Sequence, residues 1–258
     1  MLAIIVFFIA HWYLSLFFQT FFLHRYASHR MFDMSPFMEK VFYCLTFVCQ
    51  GSSYLSPYAY AIMHRLHHEH ADTEEDPHSP EHDGNPFQMM WRTYKIYSGI
   101  YTHTIQVEEK YKANLPNWAS FDRMACSMWT RMSWVLVYVA FYYFFSPSIW
   151  LFLLIPFHVL MGPIHGAIVN WCSHKFGYIN FHNKDSSTNL MKLDLIMMGE
   201  GLHNNHHQYP SRANFGVKED ELDPTYPFIT MLDKLGIIRL KKKEASMKRN
   251  LNFKPIES

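Results

Sequence analysis

"LAIIVFFIAHWYLSLFFQTFFLHRYASH" (residues 2–29) sets the fold class. Residues 2–23 contain no Asp, Glu, Lys or Arg. At about 1.5 Å per residue they can cross a hydrocarbon core of about 30 Å. His11 and Gln19 are the only strongly polar members besides Ser and Thr. The apolar run then stops at His24 and His29. The N-terminus lacks a basic region, and "LHRYASH" is not a small-residue cleavage site. Residues 2–23 therefore read as a retained membrane helix and not as a signal peptide.

The rest of the chain follows the same pattern of apolar runs ending in histidine. Its 258 residues are 49% hydrophobic and 17% aromatic with a net charge of +1, enough for a single domain over 1–258 with a large core. The mean hydropathy of −0.13 understates the apolar character, because the apolar residues are clumped. Charge-free runs cover 1–24, 41–63 and 132–174. The near-neutral balance offers no basic footprint for nucleic acid. Four cysteines (Cys44, Cys49, Cys126, Cys172) have no paired metal spacing and read as small buried apolar residues.

Residues 149–171 form a second clear span. Before them, 126–146 reaches span length with Arg131 snorkelling toward the interface. "FSPS" at 145–148 is a tight uncharged turn, so the pair reads as a helical hairpin. Lys and Arg are absent before Arg25 and from that turn, but abundant in 25–40, 64–131 and 175–258. The positive-inside rule puts those three regions in the cytoplasm. A plain crossing by 41–63 would break this arrangement, and Gly51, Pro57 and several Ser make it a poor span. It is expected to enter or lie along the interface. The expected fold is an all-α integral membrane protein with three spans (2–23, 126–146, 149–171) and an interfacial segment (41–63). Cytoplasmic regions 64–125 and 175–258 would form a helical cap.

The chain has 17 histidines. Four groups stand out: His24 and His29; His64, His67 and His68; His174, with Asn170 four residues before it; and His203, His206 and His207. On a helix, residues at i, i+3 and i+4 share a face, so each His-x-x-His-His triad is expected to form one patch. His24 and His29 lie about 140° apart on a regular helix. Either the helix ends there or the two serve different metals. Nine imidazoles are too many for one ion of about four to six ligands, which implies two metals close together. Imidazole suits Zn, Cu, Fe and Ni, and the donor set alone does not choose among them. His-Glu-x-x-His and the Cys–His pattern of zinc deaminases are both absent. Asp72, Glu74, Glu75, Asp76 and His78 are candidates to orient ligand imidazoles. So is Glu200, three residues before His203. His11, His158 and His165, inside apolar runs, are expected to hydrogen-bond between helices.

"HRYASHR", "HRLHHEHADTEEDPHSP", "NWCSH" and "GEGLHNNHHQYPSRANFG" resemble, in order, type and spacing, the boxes of the membrane fatty acid desaturases, specifically the acyl-CoA (stearoyl-type) Δ9 branch. The resemblance runs over about residues 10–240. It implies two non-haem irons that use molecular oxygen and two electrons to introduce a cis double bond into a long saturated acyl chain. His24, His29, His64, His67, His68, His174, His203, His206 and His207 would be iron ligands, Asn170 would act through a water, and Asp76 and His78 are favoured as support. The resemblance also leads one to expect a further helix before the first box and charged and Trp residues before the second. This chain begins about one helix before His24, and has the uncharged "YLSPYAYAIM" at 54–63. The resemblance implies acyl-CoA as the carrier, and these departures leave a lipid-linked or a protein-linked acyl chain as alternatives.

An acyl methylene has no acidic proton and no leaving group, so carboxylate or Ser–His chemistry cannot begin on it. The sequence carries no Gly-x-Gly-x-x-Gly and no haem-attachment Cys-x-x-Cys-His. Electrons are therefore expected from a separate ferredoxin or cytochrome b-type donor. The basic "RLKKKEASMKR" at 239–249 is a candidate dock for that donor or for anionic membrane lipid. Two alternatives stand beside the desaturase: a hydroxylase on the same scaffold, and a His-rich metal transporter. Transporters place their ligands near the bilayer midplane, whereas these histidines fall at segment ends.

Overall fold

Helix α1 (Leu2–Phe18) continues directly into a π-helical stretch, Gln19–Ser28. The chain is described here from a computed structural model, over residues 1–241. The 27 residues Leu2–Ser28 form the one continuous helix among the described residues that is long and apolar enough to cross a membrane. The basic 242–249 part of the C-terminal segment lies outside them.

After a short strand β1 (Phe32–Met34), Ser35 caps α2 (Pro36–Gln50) by accepting from the Met38 N–H. Pro36 starts this helix, where its missing N–H costs nothing. Glu39, in the first turn, accepts from the Tyr26 hydroxyl at 2.5 Å and lies 3.8 Å from Arg30. From there α2 packs along α1, and the Gln50 backbone reaches the imidazole of His11. The helix stops at Gly51, whose φ of +55° suits glycine. A turn over 51–56 follows. Ser56 then caps α3 (Pro57–His70), which packs on the π-helical stretch and sets His64 beside His29. Both ends of 41–63 therefore sit at the same end of α1.

Helix α4 (Pro86–Tyr101), capped by Asn85, packs on α3 and is followed by the short α5 (Glu109–Lys112) and α6 (Ala119–Ala125). Helix α7 (Met128–Phe145) starts later than the expected 126, because Ser127 caps it. The Arg131 guanidinium donates to the carbonyls of Ser52 and Tyr54 and holds the 51–56 turn.

The expected span 149–171 is not one continuous helix. It consists of a 3-10 turn (Ile149–Leu154), α8 (Ile155–Val159), α9 (Met161–Ala167) and a π-helical turn (Ile168–Cys172). Its two halves, Ile149–Val159 and Met161–Cys172, meet at 65°. Pro163 explains the bend: it has no N–H to give to Val159, and its ring crowds that carbonyl. A long loop leads to α10 (His203–Gln208), then α11 (Thr225–Lys234) and β2 (Ile238–Leu240), which pairs antiparallel with β1.

Inside the helical layer, His11 Nδ1 lies 2.6 Å from His158 Nδ1, and the Tyr142 hydroxyl lies 2.9 Å from His158 Nε2. This ties α1, α7 and α8 together, as expected of His11 and His158, whereas His165 departs from the expectation: its ring nitrogens have no hydrogen-bond partner among the described residues, and it packs edge-on against Trp12. Aromatic packing secures the π-helical stretch: Phe21, Phe22 and Tyr26 bury against Phe32, Phe42, Tyr43 and Phe215. The cysteines differ from expectation. Cys44 is exposed and the other three are half-buried.

Candidate metal centre

The π winding resolves the spacing of the first pair. Backbone bonds there run five residues back, and the His29 N–H donates to the His24 carbonyl at 3.2 Å. Residues five apart then come onto one face. His24 and His29 therefore point into the same group; the helix does end there, with His29 as its C-cap, and the alternative of two separate metals does not hold.

The nine histidines gather into two adjacent groups. His24, His29, His64, His68 and His206 form one; His67, His174, His203 and His207 form the other. Each triad is split between them, contrary to the expectation of single patches. On α3, His64 and His68 serve the first group and His67 the second. On α10, His203 and His207 serve the second and His206 the first. The reason is angular: each residue advances about 100°, so the neighbours His67 and His68 diverge, and so do His206 and His207. Each helix stands between the two groups and supplies both.

The ring nitrogens are spaced as if around an ion. In the first group, Nε2–Nε2 distances are 2.9 Å (His24–His206), 2.8 Å (His29–His64), 3.0 Å (His64–His68) and 2.9 Å (His68–His206). In the second, His67 and His207 stand 3.2 Å apart. A metal–nitrogen bond of about 2.1 Å gives about 3.0 Å between ligands at right angles and about 3.4 Å in a tetrahedron. The edges of the first group fit a centre of more than four ligands better than tetrahedral zinc, and the 3.2 Å edge of the second lies between the two values.

Carboxylates behind the rings fix which nitrogen faces inward. Asp76 takes the Nδ1–H of His67 at 3.0 Å and Asp185 that of His207 at 2.9 Å. With both imidazoles in the neutral form that binds a metal, the two Nε2 atoms facing each other across 3.2 Å present lone pairs, which a cation between them would turn into two bonds. His174 Nδ1 lies 3.1 Å from the Ser186 hydroxyl and 3.6 Å from Asp72. His24 Nδ1 lies 2.6 Å from Glu200, whose other oxygen meets Arg25 at 3.2 Å. Arg25 also pairs with Asp223 and stacks over Phe215. His174 Nε2 and both ring nitrogens of His203 are buried without a hydrogen-bond partner among the described residues. Buried polar atoms of this kind call for a ligand.

Burial dominates the ionisation of the site. It pushes the pKa of His29, His64, His68, His203, His206 and His207 well below the ordinary histidine value, and neighbouring imidazoles add to the effect. All six are neutral donors at pH 7, the form a metal binds. Burial by itself opposes ionising Asp76 and Glu200. Contact with His67 and His78 still holds Asp76 below the usual range, and His24 and Arg25 do the same for Glu200.

The remaining expected residues line one cavity beside both groups. It measures about 170 Å³, and its wall includes His64 from the first group and His203 from the second, with His78, Asn170 and Glu200. Leu55, Met63, Met90, Val169 and Tyr97 make it apolar. His78 packs against His67 with ring centres 4.3 Å apart, and neither of its nitrogens has a partner among the described residues. Glu200 depends on Gly199 before it. Gly199 has φ +96°, and a Cβ there would come within 2.3 Å of Asp223.

Sequence reasoning missed Asp185. The only signal was its place in the polar "NKDSST" stretch, and no helical spacing links it to His207. Asp72 was considered among the acids, but its partner proves to be His174, a hundred residues away.

A family model described as "Fatty acid desaturase" matches residues 1–226. Among curated proteins, the chain is 30% identical over 221 residues to the sn-1 stearoyl-lipid 9-desaturase of Synechocystis sp., covering 84% of this chain and 64% of that one. It is 29% identical to the Delta-9 desaturase-like 5 protein of Arabidopsis thaliana (84% of this chain, 70% of that one). It is 28% identical to the Acyl-CoA C20 Delta5-desaturase of Anemone leveillei (90% and 71%). Four histidine groups meeting in two metal-sized clusters beside an apolar cavity agree with that match, and the chain belongs to the fatty acid desaturase family.

Proposed function

We propose that this chain is an oxygen-dependent fatty acyl desaturase that introduces a cis double bond at the Δ9 position of a long saturated chain. The carrier is CoA or a lipid, as in the names of the relatives. The observation that carries the reading is the pair of bare Nε2 atoms of His67 and His207, 3.2 Å apart and each fixed by a carboxylate behind it. Such a pair, buried beside an apolar cavity, is built for a cation next to a hydrocarbon.

In this reading His24, His29, His64, His68 and His206 hold one iron and His67, His174, His203 and His207 the other, with Asn170 acting through a water. When bound, the two irons supply the redox chemistry with molecular oxygen and two electrons from an external ferredoxin or cytochrome b-type donor. The chain's own part is positional. Leu55, Met63, Tyr97 and Val169 seat the acyl tail and exclude water, while His64 and His203 bring it against both groups. Asp76, Asp72, Asp185 and Glu200 keep their imidazoles turned inward, and His78 braces His67.

The membrane arrangement is part of the proposal. Residues 2–23, 126–146 and 149–171 cross, the last as a bent span. Residues 41–63 enter beside α1 and return. The histidines then lie at the cytoplasmic rim under the cap, which speaks against a transporter with ligands at the midplane.

Expression in a host lacking this activity, with fatty acids profiled by mass spectrometry, tests the reading. New monounsaturated chains are expected. His206→Ala should abolish them while the protein still inserts in the membrane. Hydroxylated chains would favour the hydroxylase instead. An unchanged profile from iron-loaded protein with a working donor would refute both.

A further inference from the structure

Helix α4 carries a stripe of exposed aromatics at Phe87, Trp91 and Tyr94, with Trp91 and Tyr94 stacked. The spacing of four and three residues puts them on one face, and exposed Lys95 follows on the same face. Aromatics with a flanking Lys are the side chains that settle at a membrane interface. The stripe also runs into the acyl cavity: Tyr94, 57% exposed, is part of its wall.

The other lip of the cavity comes from α9. Pro163 is exposed, while Gly166 and Asn170 are half-buried, and all three line the wall. Just before them Leu153, Phe157 and Leu160 are exposed on the apolar bent span. The gap between the lips is narrow. A Cβ placed on Gly166 would lie 3.8 Å from the Met90 methyl. The deep end of the same cavity reaches His64, His78 and His203. Its mouth thus opens between two surfaces suited to lipid.

Charge points the same way. Among the described residues, the cavity wall contains no Lys or Arg. Of the two cations on α4, Arg92 is held by Asp83 and the Ser79 carbonyl, which leaves Lys95 for a headgroup. Acyl-CoA presents several phosphates and would need a cluster of cations, whereas a glycerolipid needs at most one.

We propose that the acyl cavity is entered sideways from the bilayer through a portal between α4 and α9, and that the substrate chain is esterified in a membrane glycerolipid. The inference rests on the desaturase reading for its chemistry, but not for its geometry.

The test uses the iron-loaded full chain in lipid nanodiscs. In one arm, phosphatidylcholine with a mid-chain diazirine is photolysed and the labelled peptides are mapped. Labels are expected on Met90, Tyr94 and residues 163–166, and inside on Met63 or His78. Gly166→Phe and Met90→Trp, which close the gap from opposite lips, should each cut the interior labelling at least tenfold with iron content unchanged. Interior labelling that survives both, in protein that retains its iron, would overturn the portal, as would interior labelling by a CoA-linked probe alone.

In the second arm, deuterated stearoyl phosphatidylcholine and stearoyl-CoA are compared with reduced ferredoxin or reduced cytochrome b5 as donor. The lipid should be desaturated at least tenfold faster; equal or faster turnover of the CoA ester would overturn the substrate assignment. Product from neither would count against the desaturase reading, and the photolabelling arm alone would then decide the portal.

Discussion

Replacing Glu200 by Gln removes one negative charge behind His24 while keeping the side chain's shape. Glu200 lies 2.6 Å from His24 Nδ1 and 3.2 Å from Arg25, almost fully buried. Losing a partner behind a ligand imidazole typically costs 10–100-fold in metal affinity, or about 1.4–2.7 kcal/mol. That loss should fall on the five-histidine group, because Glu200 touches no member of the other. Arg25 keeps Asp223 at 2.7 Å, so the fold should survive. Glu200→Ala would leave a void and a weakened buried pair, and is the poorer probe. Asp76→Asn is the mirror experiment: the one metal-site imidazole it bonds is His67, besides the Asp72 and His78 backbone N–H groups, and it should weaken the four-histidine group by the same range. Iron-57 Mössbauer spectra during metal titration distinguish the two sites. The expected result is that one quadrupole doublet is lost selectively in each variant, and a different one in each. Equal loss of both doublets, or the same doublet lost in both variants, would refute the division of ligands.

Three further outcomes follow from the same geometry. The metal-free protein should lose stability as pH falls below about 6.5. The buried imidazoles of His29, His64, His68, His78, His203, His206 and His207 have pKa values lowered in the fold, so the unfolded chain takes up protons that the native one refuses. Each group contributes a slope of up to about 1.4 kcal/mol per pH unit. Melting temperatures of metal-free protein between pH 8 and 5.5 check this, and a flat profile would contradict it. Gly199→Ala should destabilise by at least ~1–3 kcal/mol, since φ is +96° and the new Cβ meets Asp223; thermal melts and iron retention read the loss. Arg131→Met should destabilise by about 2–4 kcal/mol by freeing the carbonyls of Ser52 and Tyr54, measurable as a lowered melting temperature.

Much of the site could be read from residue types and spacing, because all nine histidines and Asn170 stand in short local patterns. Glu200 and Asp76 were visible for the same reason: each lies within nine residues of a histidine group. What escaped was long-range or depended on irregular helix. Asp185 and Asp72 reach their histidines across 22 and 102 residues, which no local spacing signals. The sharing of His24 and His29 needed a π-helix, and nothing in "QTFFLHRYAS" distinguishes that winding from an α-helix. The splitting of both triads follows from two helices that each stand between two histidine groups, a tertiary fact. The broken span shows the converse. Pro163 was in plain view, yet hydropathy averages over it, so length and apolarity alone described a span without its bend.

The central claim is that one chain builds two adjacent metal sites from divided histidine triads. Anomalous diffraction at the iron edge on iron-loaded protein tests it most directly. Two peaks are predicted, one about 2.1 Å from Nε2 of His24, His29, His64, His68 and His206, the other at the same distance from Nε2 of His67, His174, His203 and His207. A single peak, or a peak between His67, Asp76 and His78, would contradict it.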